Sequence, residues 1–286
     1  MTSAFDESRY SAAHEQDYAQ RFDGIRRLYG QSGVERLRHA HVVIIGIGGV
    51  GSWTVEALAR SGLERLTLID LDDVCITNVN RQLHALDGQI GRPKVEVLAE
   101  RCRLINPFID VKTVAAFVTP HNIADRLPAD TDHVIDAIDH VGAKTALIAY
   151  CRRQRIGLTV TGGAGGLTDP TRLQVLDLSR TEQDPLLSKV RALLRREHGF
   201  PRNPKRRFSV ACVCSGEQRR YSDGAGEVCH TRPDSGEPLR LGCAGGFGAA
   251  TFVTGAFGFA AAGHAIERLI DRPKGTSDPS STESTP

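Results

Sequence analysis

The stretch HVVIIGIGGVGSWTVEALARSGLERLTLID at residues 41–70 decides the fold that we predict for this chain. Its apolar run at residues 42–45 predicts a buried strand, which breaks into the glycine-rich turn GIGGVG at residues 46–51. A helical pattern follows the turn, and a second apolar run at residues 66–69 ends in Asp70. The order of strand, glycine loop, helix, strand and acid is typical of a βαβ unit that binds a nucleotide.

The spacing of the glycines indicates how such a site would bind its ligand. Gly46, Gly48 and Gly51 fit the pattern G-x-G-x-x-G. The first glycine allows a tight turn, the second lets the backbone approach a phosphate, and the third brings the helix close to the strand. The start of that helix offers free N–H groups and the positive end of its dipole to an anion. Asp70 follows Gly46 by 24 positions, near the roughly 20 expected for an acid that binds a ribose hydroxyl.

The overall composition is that of an ordinary soluble protein, with 40% hydrophobic and 24% charged residues among 286. The net charge of +2 does not by itself indicate a nucleic-acid binder, so any basic surface must be local. Seven cysteines are scattered along the chain, and the polar, acidic N-terminus does not have the pattern of a signal peptide. We therefore expect a protein of the reducing cytoplasm.

Strand and helix patterns alternate along the first half of the chain, which predicts an α/β, Rossmann-like fold with a mainly parallel sheet flanked by helices. Right-handed crossovers then bring the loops after the strands to one carboxyl edge of the sheet. We expect a disordered tail at residues 1–19, a nucleotide-binding domain at residues 20–178, and a basic, glycine-rich extension at residues 179–272 that completes the fold. A second disordered tail is expected at residues 273–286.

A polar cluster at the predicted strand ends and adjacent loops distinguishes this chain from a dehydrogenase. Asn78, Arg81, Gln82, Lys94 and Asp139 are more than a bound dinucleotide requires. Cations and amides beside a phosphate loop indicate a triphosphate that is attacked, since placed Arg and Lys stabilise charge that develops on phosphate oxygens. Asp139 is the expected Mg²⁺ ligand, because Mg²⁺ usually takes one or two carboxylates together with phosphate oxygens.

The alternative interpretation of the same cluster is structural. Arg81 and Lys94 would then be ordinary surface residues, and Asp139 would cap a helix. For any one of these residues the structural alternative stays open, whereas the whole set together favours a site that binds a nucleoside triphosphate.

With these residues the chain resembles the E1-like adenylating superfamily of the ThiF and MoeB type, which shares G-x-G-G-x-G, an acid, N-x-x-R-Q, a Lys and D-x-x-D. Within it, the chain is similar to the tRNA threonylcarbamoyladenosine dehydratases. The resemblance covers roughly residues 20–270. The segments that carry it are residues 21–22, 27–30, 45–53, 72–75, 80–86, 105–107, 134–139, 149–153, 161–166 and 246–251.

The resemblance implies a role for each matching residue. The glycine loop would hold the triphosphate of ATP, Asp70 the ribose, and Asp139 the Mg²⁺ ion. The implied nucleotide contacts are Gly46, Gly48, Gly49, Gly51, Asp70, Asn78, Arg81, Gln82 and Lys94. The implied catalytic residues are Arg81, Lys94, Asp139 and Arg27.

Arg27 is included because, in members of the superfamily, an arginine of one subunit completes the site of the other subunit of a homodimer. That arginine corresponds here to Arg27 or alternatively to Arg21. Superfamily members also often carry an arginine five residues after the last Asp of D-x-x-D. This chain has Lys144 there, which keeps the charge but loses a bidentate contact.

The implied activity is ATP-dependent dehydration of N⁶-threonylcarbamoyladenosine in the tRNA anticodon loop, through adenylation of its carboxylate, to give the cyclic form. The alternative is adenylation of a ubiquitin-like sulfur-carrier protein, without RNA. A third possibility from another class is a nucleotide-sensing module that binds RNA without catalysis. A cysteine desulfurase or another sulfur-acceptor system is an expected partner of the family.

The cysteines do not fit the structural zinc site of many relatives. Cys212 and Cys214 have the wrong spacing for a Cys-x-x-Cys pair, and Cys229 and Cys243 have no close partners. We therefore expect no structural zinc. Cys243 or Cys214 could be a reactive thiol, but a small buried thiol is the simpler interpretation.

Two segments in the second half of the chain indicate partners. Residues 179–208 contain nine Lys or Arg and three acids, a local excess that would bind a polyanion such as tRNA. The alternative is a solvated helix face. The expected RNA-binding residues are Arg191, Arg195, Arg196, Arg202, Lys205, Arg206 and Arg207.

Residues 241–263 carry no charge. Their Gly, Ala and Thr content nevertheless favours a buried or dimer-facing helix over membrane insertion, with membrane association as the alternative.

Overall fold

The computed structural model describes residues 11–222, 226–230 and 247–271. Its helices are α1 (Ala12–His39), α2 (Gly51–Arg60), α3 (Lys94–Ile105), α4 (Ile123–Arg126), α5 (Val141–Gln154), α6 (Pro185–Glu197) and α7 (Thr251–Ile270). Its strands are β1 (His41–Ile45), β2 (Arg65–Ile69), β3 (Asp110–Val114), β4 (His133–Asp136), β5 (Gly157–Thr161), β6 (Leu173–Asp177), β7 (Ala211–Ser215), β8 (Tyr221–Ser222) and β9 (Val228–Cys229).

Seven strands form one sheet in the order β3-β2-β1-β4-β5-β7-β6, and β8 pairs with β9 separately. All neighbours in the large sheet are parallel except β6, which runs antiparallel to β7 at the edge. The order reverses between β1 and β4, and this switch point is where open α/β sheets bind ligands. The predicted Rossmann-like fold with a mainly parallel sheet is confirmed.

The centre of the sheet is apolar because its strands are covered on both faces. Every residue of β1 is buried, and Ile44 pairs with Leu68 of β2 on one side and Ile135 of β4 on the other. Continuous hydrophobic runs are typical of parallel strands buried on both faces.

Helix α7 contains the uncharged stretch and packs closely against α2. A Cβ atom at Gly258 would lie 2.6 Å from the carbonyl oxygen of Val50 and 2.7 Å from Cβ of Trp53. Val253, Phe257 and Ala261 of α7 are fully buried. In the described part of the chain, no helix is long and apolar enough to cross a membrane. Residues 251–263 thus form a helix that is buried on one side, and residues 241–246 lie outside the described residues.

The expectation of a disordered tail up to residue 19 is wrong for residues 12–19, which form the first turns of α1. Buried polar contacts hold this segment to the core. The hydroxyl of Tyr18 donates to the carbonyl oxygen of Gly62 at 2.7 Å. His14 and Arg38 both contact the buried carboxylate of Glu64, at 2.8 and 2.9 Å. Tertiary partners far along the chain make this polar segment helical, and its own composition does not reveal them. Residues 1–10 and 272–286 lie outside the described residues.

Candidate active site

A cavity of about 1300 Å³ opens at the carboxyl edge of the sheet. It is lined by the loops that follow β1, β2, β3, β4 and β5, as the parallel topology predicts. It exceeds the roughly 300–1,000 Å³ of a typical small-ligand pocket, so it has room for a nucleotide and part of a second substrate. The predicted nucleotide-site residues that line it are Gly46, Gly48, Gly49, Asp70, Asn78, Arg81, Gln82, Lys94 and Asp139.

The glycine loop requires glycine at two positions for steric reasons. Gly46 has a φ of 81°, and a Cβ atom there would lie 2.9 Å from the carbonyl oxygen of Ala137. A Cβ atom at Gly51 would lie 2.0 Å from the carbonyl oxygen of Gly46. Gly51 starts α2 behind the cavity lining, so it shapes the loop and does not face the cavity. These close approaches are what the glycine spacing predicts.

Asp70 joins the glycine loop to the loop that follows β2. Its Oδ2 accepts a hydrogen bond from the backbone N–H of Ile47 at 2.9 Å, and its Oδ1 accepts one from Asp72 at 2.9 Å. Burial raises the pKa of Asp70, although the nearby Lys94 ammonium opposes this. The carboxylate is thus fixed at the end of β2, on the cavity wall where a ribose would lie beside a phosphate loop.

Lys94 lies at the first position of α3 and is only 5% exposed. Its Nζ donates to Oδ2 of Asp72 at 2.8 Å. Asp72 is more than half exposed, so this pair lies at the border between the cavity and solvent. The ammonium is therefore held in place on the cavity wall before any ligand arrives.

Arg81 and Gln82 lie beside Gly49 and Gly48 of the glycine loop. The guanidinium of Arg81 donates to the carbonyl oxygen of Thr77 at 2.8 Å and to Oδ1 of Asn80 at 2.9 Å. A Cβ atom at Gly49 would lie 3.6 Å from Cγ and Cδ of Arg81. Gln82 is buried, and its Oε1 has no partner among the described residues. A polar ligand in the cavity can satisfy such an atom.

Two residues that the sequence motifs do not identify hold the Arg81 segment in place. The indole N–H of Trp53 and the hydroxyl of Thr254 both donate to the carbonyl oxygen of Arg81, each at 3.1 Å. Trp53 belongs to α2 and Thr254 to α7, so the α2–α7 contact positions the Arg81 loop. A lone Trp and a Thr in an uncharged stretch carry no local signal for this role.

Asp139 lies in the loop after β4, is exposed, and faces the cavity. It does not cap α5, because Nδ1 of His140 accepts the capping hydrogen bond from the N–H of Ala143 at 3.2 Å. The capping alternative for Asp139 is therefore wrong. Among the described residues, no group of three or more His, Cys, Asp or Glu could hold a metal ion. The exposed carboxylate of Asp139 beside the glycine loop nevertheless fits Mg²⁺, which takes its other ligands from phosphates and water.

Lys144 does not line the cavity. It is fully buried, and its Nζ contacts Oδ1 of Asp136 at 2.9 Å and the carbonyl oxygen of Thr161 at 3.0 Å. The expectation that its ammonium stands in for an arginine of the site does not hold, since the charge lies beneath the cavity floor.

Arg27 and Arg21 lie on α1, outside the cavity lining of their own chain. The side chain of Arg27 is 77% exposed and pairs with Asp23 at 2.7 Å. Nε of Arg21 contacts Asp17 at 2.6 Å. Within one chain, the structure does not bring either arginine to the other predicted site residues.

The expected RNA-binding residues lie on α6 and the loop after it, away from the cavity lining. Arg195 has an internal role, because its Nε donates to the carbonyl oxygen of Pro201 at 3.3 Å and its guanidinium lies over the ring of Phe208. Arg191 is half-buried. The exposed members of the set are Arg196, Arg202, Lys205, Arg206 and Arg207.

Cys214 does not line the cavity and is not a reactive thiol. Cys214 is 2% exposed, and burial raises its pKa to about 11. A thiol with that pKa is almost wholly protonated near neutral pH, and the thiolate is the nucleophile. Cys214 is therefore a packing residue, while Cys243 lies outside the described residues. The expectation of no structural zinc stays a prediction.

Comparison with known proteins agrees with the motifs. The family model for the ThiF family matches residues 22–283. A tRNA threonylcarbamoyladenosine dehydratase of Haemophilus influenzae is 51% identical over 256 residues, which cover 90% of this chain and 95% of that protein. The resemblance inferred from the sequence is thus confirmed.

Solved structures give the same result. The crystal structure of the E. coli tRNA N6-threonylcarbamoyladenosine dehydratase TcdA in complex with ATP is 47% identical, with a TM-score of 0.78, and the match covers 91% of this chain and 96% of that one. The complex of the same enzyme with AMP matches with a TM-score of 0.79 at the same identity and coverage. The chain therefore belongs to the ThiF family and, within it, to the tRNA threonylcarbamoyladenosine dehydratases.

Proposed function

We propose that this chain uses ATP to dehydrate N⁶-threonylcarbamoyladenosine in tRNA to its cyclic form. What supports this activity most strongly is one cavity that joins a glycine loop, two fixed cations and a free carboxylate in a chain of this family. The related E. coli enzyme binds ATP and AMP, the nucleotides expected at the start and end of an adenylation.

The chemistry has two steps that remove one molecule of water overall. An oxygen of the threonyl carboxylate attacks the α-phosphorus of ATP, and pyrophosphate leaves. The carbamoyl oxygen then attacks the activated carbonyl carbon, AMP departs with its bonding electron pair, and an N–H proton is lost. The product is a five-membered oxazolone ring. Attack within the same molecule needs no thiol on the enzyme, in agreement with the protonated, buried state of Cys214.

The contacts around the cavity support a division of roles among its residues. The loop at Gly48 and Gly49 lines the cavity and would offer its N–H groups to the phosphates, and Asp70 would bind the ribose. The N–H of Gly46 already donates to the carbonyl oxygen of Ile69 at 3.0 Å, so Gly46 contributes the turn of the loop. Lys94 and Arg81 would contact the phosphates, while Asn78 and Gln82 add amide groups. Charge develops on the phosphate oxygens as pyrophosphate leaves, and cations that are already fixed stabilise it at little reorganisation cost.

Asp139 would hold Mg²⁺, which neutralises charge on the phosphate oxygens when it is bound. Its carboxylate is exposed to the cavity and does not cap the next helix, so it is available for this role. Asp72 is less suitable as a ligand because it already pairs with Lys94.

A homodimer with composite sites would explain the position of Arg27. Its guanidinium is exposed on α1 and does not line the cavity of its own chain. We propose that Arg27 completes the site of a second copy, with Arg21 as the less exposed alternative. A cytoplasmic location and a sulfur-transfer partner stay predictions.

One experiment separates the proposed activity from the sulfur-carrier alternative. ATP–pyrophosphate exchange is measured with tRNA that carries the uncyclised nucleoside, with unmodified tRNA, and with a sulfur-carrier protein ending in Gly-Gly. We expect exchange only with the modified tRNA. The nucleoside should also be converted to a product that is lighter by one molecule of water. Exchange with the carrier protein alone would favour the alternative, and no exchange at all would favour a nucleotide-sensing module.

A further inference from the structure

A second cavity, of about 340 Å³, lies at the start of α6. Its wall contains Ser188 and Arg191 of α6, Arg219 from the segment after β7, and His230 after β9. Almost all of its lining residues are polar. Neither Arg219 nor His230 belongs to the basic segment that the sequence singled out.

Arg191 is a half-buried cation without a carboxylate partner among the described residues. Its guanidinium donates to the hydroxyl of Thr181, which is a neutral group. Burial lowers the pKa of Arg191 and the neighbouring Arg195 lowers it further, while the nearby Asp184 carboxylate opposes both effects. A half-buried guanidinium with only a neutral acceptor is unfavourable unless an anion approaches it.

Among the described residues of this wall, the one carboxylate is Asp184, and it already has several partners. It accepts hydrogen bonds from the backbone N–H groups of Leu187 at 3.0 Å and Gly163 at 2.9 Å. It also pairs with the buried guanidinium of Arg219 at 3.0 Å. Asp184 pairs with Arg219, so the described residues of the wall carry one more cation, Arg191, than carboxylate.

Arg219 also connects the second cavity to the active-site cavity. Its guanidinium donates to the carbonyl oxygen of Gly163 at 2.7 Å and to that of Gly165. Gly163 and Gly165 line the large cavity. The Asp184–Arg219 pair is therefore a shared wall, and a ligand in the second cavity lies next to the loop that follows β5.

We infer that this second cavity binds a backbone phosphate of the tRNA substrate through Arg191, with Ser188 and His230 as further hydrogen-bonding partners. The inference rests on the proposed function. A phosphate matches the extra cation and the polar wall, and phosphate contacts fix the position of a nucleic acid on a protein. The site would anchor the RNA beside the loop that borders the adenylation cavity.

The test compares Arg191→Met with Lys189→Met. Both changes remove one positive charge from α6, but Lys189 is exposed and does not line the cavity. Affinity for tRNA is measured by filter binding over a series of salt concentrations, and affinity for ATP and the melting temperature serve as controls of the fold. Competition by inorganic phosphate is measured on the same variants.

Arg191→Met should weaken tRNA binding about 10- to 100-fold, as for loss of one charge-assisted hydrogen bond. The slope of log affinity against log salt should fall by about 0.7–0.9. ATP affinity should not change, and Lys189→Met should bind tRNA nearly as the wild type does. Equal losses of tRNA affinity in both variants would overturn the inference. Unchanged tRNA affinity in Arg191→Met would also overturn it, even if competition by free phosphate changes in that variant. A wild-type protein that leaves the modified nucleoside uncyclised would instead contradict the proposed function.

Discussion

Nζ of Lys144 lies 2.9 Å from Oδ1 of Asp136, and neither side chain has any exposed surface. The same ammonium contacts the carbonyl oxygen of Asp136 at 3.3 Å and that of Thr161 at 3.0 Å. Asp136 ends β4 and Thr161 ends β5, so one cation joins the two strands at their carboxyl ends. The loops that carry Asp139 and Gly163 start directly above this point, and their positions depend on it.

Replacement of Lys144 by Met should destabilise the fold strongly. Burial raises the pKa of Asp136, and the Lys144 ammonium is the main opposing influence. Removal of one partner from a buried ion pair typically costs about 3–5 kcal/mol, because the other charge is left without compensation. The free energy of unfolding is measured in urea.

The double variant Lys144→Met with Asp136→Asn is the matched control. It removes both charges, so much of the lost stability should return. If the double variant is as unstable as Lys144→Met alone, packing of the lysine stem and not the charge pair stabilises this point.

Lys144 also shows where prediction from sequence reaches its limit. The βαβ unit was predictable, because hydrophobic runs, glycine spacing and a terminal acid are local signals and the topology then brings the strand ends together. Whether the ammonium of Lys144 faces the cavity or the core depends on its tertiary contacts with Asp136 and Thr161. The motif spacing favoured the cavity, and the structure places it in the core.

The other differences between the sequence-based expectations and the structure also arise from contacts between residues that are distant in sequence. Residues 12–19 are polar, yet they are helical because Tyr18 and His14 meet partners at residues 62 and 64. The carbonyl oxygen of Arg81 is held by Trp53 and Thr254, which lie far apart in sequence. Long-range hydrogen bonds of this kind leave no periodic pattern in a single sequence.

Replacement of Lys94 or Arg81 by Ala should lower turnover by roughly 10²–10³, as for loss of one preorganised charge donor. Each cation is fixed on the cavity wall, Lys94 by Asp72 and Arg81 by the Thr77 carbonyl oxygen. Turnover is measured by the release of pyrophosphate with modified tRNA. The melting temperature should change little for Arg81→Ala, and near-normal turnover in either variant would remove that residue from the proposed phosphate site.

Acid should destabilise the protein through buried histidines. His84 is 1% exposed, both of its ring nitrogens lack a partner among the described residues, and burial lowers its pKa to about 4. Burial also lowers the pKa of His41 and of His264. A folded pKa below the unfolded value of about 6.5 means that the unfolded chain binds more protons. The stability from His84 is present above pH 6.5 and is lost as the pH falls towards 4.

The variant His84→Leu tests this dependence. Between pH 6.5 and about 4 the wild type should lose roughly 3 kcal/mol through His84 alone, at 1.36 kcal/mol per pKa unit. The variant should lose correspondingly less over the same interval, because leucine has no proton to bind. Unfolding in urea at several pH values gives the two slopes. Identical slopes would mean that His84 does not stay neutral and buried in the folded protein.

Mixed dimers should reveal whether Arg27 acts on the neighbouring copy. Arg27 is 77% exposed on α1 and does not line the cavity of its own chain. If it completes the other copy's site, Arg27→Ala and Lys94→Ala should each be inactive alone. A mixed dimer of the two has one site with both an intact Lys94 and an intact Arg27. Random mixing of equal amounts gives half of the dimers in mixed form, each with one working site, and should therefore restore about a quarter of wild-type activity.

Subunit exchange is followed by native mass spectrometry with one copy isotope-labelled. Full exchange without recovered activity would mean that Arg27 serves only its own chain, whereas full activity of Arg27→Ala alone would remove it from the site.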